Sequence, residues 1–292
     1  MPCVHEGASR MTPKTQEDAL DSMKQICLDL ETQYQEFDDL VSRLDVEDWR
    51  KKTPFFEWTI FDEVAHVAFF DHEALLAIEK PDLFKERAKG IMEVILSDSS
   101  WPAYMNPLLG PGEPSELLVL WRDIRSRLIL RLGKMSPKDR FPWYGPDMSA
   151  RSFATARLME TWAHSQDVFD TLKIKRKNDA GLHHIAHIGV STFGWSFSVR
   201  KISPPGIKLR VELIGPGGER WEWGEANSSE RVWGSAEDFC LVVTQRRNVA
   251  DTGLKWHGKN VEKWLTIAQA FAGVAQNPPE PGERVIDNGN QT

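Results

Sequence analysis

Cysteine is scarce in this chain and dispersed. Three occur among 292 residues, Cys3, Cys27 and Cys240. They form no Cys-x-x-Cys pair and no disulfide framework, which excludes a small stapled scaffold. An odd, scattered set suits a reducing cytosol, so a cytoplasmic location is expected. Long apolar runs are also missing. No segment is long enough to span a bilayer, and the opening MPCVHEGASRM lacks the apolar stretch of a signal peptide. No run of lysine and arginine exceeds three residues, and the net charge is −7. That balance argues against a nucleic-acid binder. The expected partner is a small-molecule substrate, with no nucleic acid and no membrane. Monomer and homodimer both remain open.

What is present is tryptophan, 12 residues of it, enough to build large cores and pocket walls. The length suits two domains. Apolar residues from Ala19 through Met23, Ile26, Leu30, Tyr34 and Phe37 to Val41 recur at helical spacing and predict a helix over 15–43. A second helix starts near Thr59, with Asp62 in its first turn, and stops before Pro81. A shorter one covers 82–97. Three prolines and two glycines predict a loop over 98–113. A third long helix begins at Ser115, and a fourth covers 152–172, capped by Ser149 or Ser152. Four long amphipathic segments describe a four-helix bundle.

The grammar changes after Lys177. LHHIAHIGVSTFGWSFSVR predicts a helix that ends near Pro204. IKLRVELIG and ERWEWGE alternate on either side of a Pro-Gly-Gly turn and predict a hairpin. SAEDFCLVVTQRR and KNVEKWLTIAQAF predict further helices. The fold class is therefore α+β with two domains: a flexible start over 1–14, a bundle over 15–176 and an α+β domain over 177–274. The Pro- and Gly-rich end over 275–292 is expected to be disordered.

Three residues stand out. Glu160 and His164 are four apart on the predicted fourth helix, so both point the same way, on a stripe shared with Phe153, Ala156 and Val168. His66 sits among Val64, Ala65, Val67, Ala68, Phe69 and Phe70. Charged and imidazole groups on inward faces need a reason. A metal held between helices is one, and three ligands with open positions is a catalytic pattern. A mutual hydrogen bond or a satisfied core histidine are others. Zinc is the first choice for two nitrogens and a carboxylate; iron, nickel, cobalt and manganese also suit. His72, six residues past His66, faces elsewhere on its helix. His183 and His187 read as a polar helix face. Asp167 and Gln166, just past His164, are candidates to orient the ligating imidazoles. The loop FPWYGPDM runs directly into the fourth helix. Its Trp143 and Tyr144 are candidate substrate-binding residues, packing between the domains being the alternative use of the same rings.

These residues carry a resemblance. Glu57-Trp58-Thr59 at a helix start, then His66, then Glu160 to His164, resemble the DinB-like metalloproteins. More closely, they resemble the N-terminal domain of the mycothiol-dependent maleylpyruvate isomerase family. The stretches Tyr144 to Val168 and Gly234 to Arg247 are similar to an uncharacterised metal-binding branch of that family, and the likeness spans roughly residues 17 to 273. Where the family usually has Pro-Gly-Trp-Thr, this chain has Phe56-Glu57-Trp58-Thr59. The resemblance implies a DinB-like metal-binding bundle followed by a small domain similar to sterol-carrier proteins. It implies a divalent metal, zinc first, on His66, Glu160 and His164, and a low-molecular-weight thiol as cosubstrate. It also implies that a second-domain arginine anchors an acidic substrate, with Arg246 in that catalytic role and Arg247 and Arg200 as rivals. The implied activity is a metal-dependent isomerase or thiol transferase acting on a small electrophilic, carboxylated molecule. A thiol-independent Lewis-acid lyase, hydrolase or cyclase, and a non-catalytic metal- or ligand-binding protein, are the competing functions.

Overall fold

The computed structural model describes residues 13–96, 105 and 112–284. Helix α1 (Pro13–Val41) turns Met23, Ile26, Leu30, Tyr34, Phe37 and Val41 to the interior, the stripe that their spacing predicts. A one-turn helix α2 (Val46–Trp49) follows; the Asp45 side chain caps it by accepting from the Asp48 amide at 2.8 Å. Helix α3 (Ile60–Glu79) opens on a reciprocal cap. The Asp62 amide donates to Thr59 Oγ1 at 3.2 Å, and the Thr59 amide donates to Asp62 Oδ2 at 2.9 Å. Helix α4 (Pro81–Leu96) is next. The loop expected over 98–113 lies almost wholly outside the described residues. Helix α5 (Pro114–Leu132) buries Leu117, Trp121, Ile124, Leu128 and Leu132. A two-residue ribbon, β1 (Arg140–Phe141) paired with β2 (Met148–Ser149), then pinches the Trp143–Tyr144 loop. Helix α6 (Ala150–Leu172) starts at Ser149, whose hydroxyl accepts from the Ser152 amide at 3.2 Å. Helix α3 packs on α5 and α6, and α1 on α6 and α5, closing a bundle of four long helices.

The second half mixes helix and sheet. The single helix expected after Lys177 is two, α7 (Leu182–Ser191) and α8 (Phe193–Ser198). At their junction Thr192 Oγ1 donates back to the carbonyls of Ile188 and Gly189, a bond that bends helices. Strands β3 (Leu209–Ile214) and β4 (Arg220–Trp223) form the expected antiparallel hairpin. Two further strands join it: β5 (Glu230–Ser235) runs parallel to β3, and β6 (Lys255–His257) antiparallel to β5, giving the order β4-β3-β5-β6. Helices α9 (Ala236–Val243) and α10 (Lys259–Leu265) pack against this sheet. Both are shorter than their apolar patterns suggested. Gln245 takes φ 58, which turns the chain out of α9. Helix α7 crosses α9 at Gly189, where a Cβ would lie 2.8 Å from Val243 and 3.0 Å from Phe239. The fold is α+β.

The Thr-Gln-Arg-Arg turn after α9 fastens this half to the bundle. Arg246 and Arg247 pair with Asp167 and Asp170 of α6 at 2.7 and 2.6 Å. His184 Nε2 meets Asp29 of α1 at 2.8 Å. The chain end, expected to be disordered from 275, is instead tied down through Arg284. The Gln276 carbonyl accepts from Gln245 (2.8 Å) and from Arg200, and the Pro279 carbonyl accepts from Asn248 (2.8 Å). The Gly282 amide donates to the Asp251 carboxylate. Composition predicted disorder because the segment has little apolar surface to bury; hydrogen bonds to its carbonyls hold it instead. No described helix is long and apolar enough to cross a membrane.

Candidate metal centre

Helices α3 and α6 bring His66, Glu160 and His164 to one point. His66 Nε2 lies 3.7 Å, and His164 Nε2 3.4 Å, from the same oxygen, Glu160 Oε2. The two imidazole centroids are 4.2 Å apart. A charge-assisted hydrogen bond would draw these atoms to about 2.7–2.9 Å. Donor atoms each bound to one tetrahedral zinc lie about 3.4 Å from one another. The donor set and its spacing thus fit a divalent ion shared by the three side chains. His164 is sealed, with 3% side-chain exposure, while His66 and Glu160 keep 13% and 25%. The site therefore opens to solvent on the His66–Glu160 side.

Charge suits the same reading at His66 and Glu160, while at His164 a proton on Nε2 would compete with the ion. Burial, reinforced by neighbouring His164, pushes the His66 pKa down to about 3, so this imidazole is neutral, as a ligand must be. Burial alone would raise the pKa of Glu160, but the two imidazoles outweigh it and hold the carboxyl well below the usual range. Burial likewise opposes a charged His164, yet Glu160 and Glu63 on its two sides raise its pKa.

The partner of His164 is one the sequence reading missed. Its Nδ1 donates to Glu63 Oε2 at 2.6 Å, and Thr53 Oγ1 donates to Glu63 Oε1 at 2.5 Å. Glu63 lies one turn before His66 on α3, and that i,i+3 spacing was the available signal. The carboxylate–imidazole pair fixes tautomer and ring orientation, the usual support of a ligating histidine. Asp167 and Gln166, expected in this role, do other work. Asp167 binds Arg246 and Arg284, and Gln166 contacts Asp170 and Arg176. His66 is held differently. Its Nδ1 is buried without a hydrogen-bond partner among the described residues, and its ring packs 4.8 Å from Phe70 and 5.3 Å from Trp58. Trp58 also stacks at 12° over His164, 6.0 Å away, and Phe55 meets His164 edge-on at 5.1 Å.

The other predicted residues are placed as follows. Phe70 links it to the Trp143–Tyr144 loop, with centroids 6.4 and 5.8 Å away. Trp143 stacks on Phe84 at 5.5 Å, and Tyr144 Oη is 3.2 Å from Glu73. Arg246, expected to anchor the substrate's acid group, is buried. Nε and Nη2 bind Asp167, Nη1 donates to the Thr244 carbonyl, and the guanidinium sits 4.7 Å over Phe55. Its rivals are also engaged, Arg247 with Asp170 and Arg200 with backbone carbonyls. Arg246 and Arg247 answer the buried carboxylates Asp167 and Asp170 on α6, and sequence spacing carries no sign of such long-range pairs. His72 lies beside Glu73, and His183 packs on Trp221 and Trp223. Among the described residues, one other group has metal-like spacing, Glu63, His164 and Asp167. There the two arginines already supply the positive charge.

The chain is similar to several known proteins. Residues 30–169, which include all three candidate ligands, match the family model of the mycothiol maleylpyruvate isomerase N-terminal domain. Two uncharacterized proteins of Mycobacterium tuberculosis, one from each of two strains, are each 40% identical over 258 residues, covering 87% of this chain and 96% of theirs. Among solved structures, the mycothiol-dependent maleylpyruvate isomerase matches over 88% of this chain and 96% of its own, at 15% identity and a TM-score of 0.49. A mutant of the same enzyme matches over 75% and 88%, with the same identity and score. The chain belongs to one family with these two mycobacterial proteins, and its residues 30–169 belong to the mycothiol maleylpyruvate isomerase N-terminal domain family.

Proposed function

We propose that this protein is a metal-dependent enzyme that isomerises a small electrophilic, carboxylated molecule, or transfers a low-molecular-weight thiol to it. His66, Glu160 and His164 hold the ion, and zinc is the ion their chemistry favours. The observation that carries this reading is the convergence of two imidazole nitrogens on one carboxylate oxygen, with solvent access on one side and Glu63 fixing His164 on the other. When bound, a divalent ion at such a centre lowers the pKa of a coordinated thiol or polarises a carbonyl. The protein's own part is orientation and exclusion. Trp58 and Phe55 pack over the imidazoles, and Phe70, Trp143 and Tyr144 form an aromatic wall against which a planar substrate stacks. Arg246 is not assigned as the substrate's anchor, because Asp167 already holds it. The DinB-like bundle and the sterol-carrier-like second half belong to this proposal. Family membership supports the thiol.

Two measurements test it. Metal analysis of the purified protein is expected to find one divalent ion per chain, and less than about a tenth of that in His66→Ala or Glu160→Ala. Full occupancy in either variant would remove the site. Turnover of activated carboxylated alkenes should then depend on added thiol. Turnover that persists without any thiol would point to the Lewis-acid alternative, and ligand binding with no turnover to a carrier.

A further inference from the structure

Behind His164 lies a second layer of charge that the proposed chemistry does not use. Glu63, which holds His164 Nδ1, is fully buried, and so is Asp167 on α6; donor atoms of Glu63, His164 and Asp167 all lie within 4.8 Å of one another. Two carboxylates this close in a dry interior repel each other unless cations separate them. The cations come from two places. Arg246, in the turn after α9, takes Asp167 Oδ2 at 2.7 and 3.1 Å. Arg284, at the far end of the chain, takes Asp167 Oδ1, and its Nη2 lies 3.8 Å from Asp170 Oδ2.

Arg284 does not arrive by apolar packing. The segment 276–284 is threaded by polar clamps: Gln245 and Arg200 on the Gln276 carbonyl, Asn248 on that of Pro279, and Asp251 on the Gly282 amide. The strap ends by placing a guanidinium of 7% exposure against Asp167, with its Nε buried and unpartnered among the described residues. A buried arginine with an unmet donor is a cost to the fold. The carboxylate pair behind His164 gives that cost a purpose.

We propose that Arg284 is a positioning residue for the metal centre: by neutralising Asp167 it lets Glu63 stay against His164 Nδ1, so the C-terminal strap sets how His164 is presented to the ion. The inference rests on the proposed three-ligand site. Its distinctive content is that a residue some 120 positions from His164 in sequence, touching no ligand, controls ligand orientation through charge.

The test uses the full-length protein, zinc as the probe and two readouts. In metal-free, ¹⁵N-histidine-labelled protein, the His164 Nδ1 proton should give a low-field resonance in the wild type and lose it in Arg284→Met. Zinc affinity by chelator competition should fall about tenfold or more in Arg284→Met, the scale at which partners outside the ligand set act, and recover largely in Arg284→Lys, which restores the charge. An unchanged resonance and affinity in Arg284→Met would overturn the inference, and so would equal losses in the Met and Lys variants, which would place the effect in packing. Should Arg284→Met not fold, Asp251→Ala, which releases the strap at Gly282, is expected to shift both readouts the same way, and no shift there would overturn it. Wild-type protein that binds no zinc would defeat the proposed metal site instead; the resonance in metal-free protein still decides the role of Arg284.

Discussion

Glu63 and His164 form the tightest link between the two helices that carry the candidate ligands. Their atoms are 2.6 Å apart on the Nδ1 side, while Nε2 of the same ring faces Glu160 at 3.4 Å. Glu63→Gln keeps the size and an acceptor but removes the charge. Zinc affinity is expected to fall about 10–100-fold, with all three ligands intact. Competition against a chromophoric chelator measures it. An affinity equal to wild type would mean that Glu63 only fills space.

The bundle carries a further buried ion pair between α3 and α6. Asp71 accepts from Arg157 Nε (2.8 Å), Tyr34 Oη (2.7 Å) and Trp121 Nε1 (3.0 Å), and neither charged side chain is more than 4% exposed. Asp71→Ala strands the Arg157 charge one turn before Glu160. It is expected to cost about 3–5 kcal/mol in urea unfolding. The double variant Asp71→Leu/Arg157→Met, which leaves no lone charge, should cost clearly less. A double variant as unstable as the single would place the loss in packing rather than charge.

How much of this was written in the sequence depends on the range of the interaction. Glu160 and His164 were legible because four residues on a helix is a local fact, and His66 because its neighbours are apolar. The caps at Thr59 and Ser149 were legible for the same reason. Glu63 has an equally local spacing from His66, but its bond to His164 crosses from α3 to α6, and sequence spacing does not show a contact between helices. Strands β5 and β6 pair with residues far away, so no local alternation announces them. Arg246 was a candidate anchor while Asp167 was assigned elsewhere; only the folded chain brings the two together. The segment 276–284 reads as disordered because composition counts apolar surface and cannot count hydrogen bonds offered by Gln245, Asn248 and Arg200.

Stability should also respond to pH through Asp38. Burial would raise its pKa, but hydrogen bonds and charge from Arg122 and Arg125 outweigh burial and hold it below the usual carboxylate value. A depressed folded-state pKa stabilises the protein above the unfolded value of about 3.9, and that contribution is lost as pH falls through the folded value. From pH 7 to 5 the contribution is constant; below about pH 4 it declines. Urea melts of wild type and Asp38→Asn between pH 7 and 3 check this. The wild-type advantage should be flat at first and shrink at the acid end. An advantage that grows on acidification would mean the sign of the shift is wrong.

The loop that brings Phe55 and Trp58 onto the imidazoles is bent in an unusual way. Phe56 and Glu57 take φ 51 and 56, two consecutive left-handed residues without glycine. At the second of these the family usually has glycine. An ordinary side chain in this region costs about 1–2 kcal/mol, and glycine would give back about 0.4–1 kcal/mol through the freedom it adds to the unfolded chain. The Glu57 side chain is 80% exposed and, among the described residues, pairs with Lys52 at 3.1 Å, a surface pair of little value. Glu57→Gly is therefore expected to stabilise the protein by about 0.5–1 kcal/mol and to leave zinc affinity unchanged, because no contact with His66 or His164 is lost. Thermal melts with and without metal read both effects. A lower melting temperature would show that the Glu57 backbone is at ease. A weaker metal site in a fully folded variant would show that the bend itself, held by side chains at both positions, keeps Phe55 and Trp58 over the ligands.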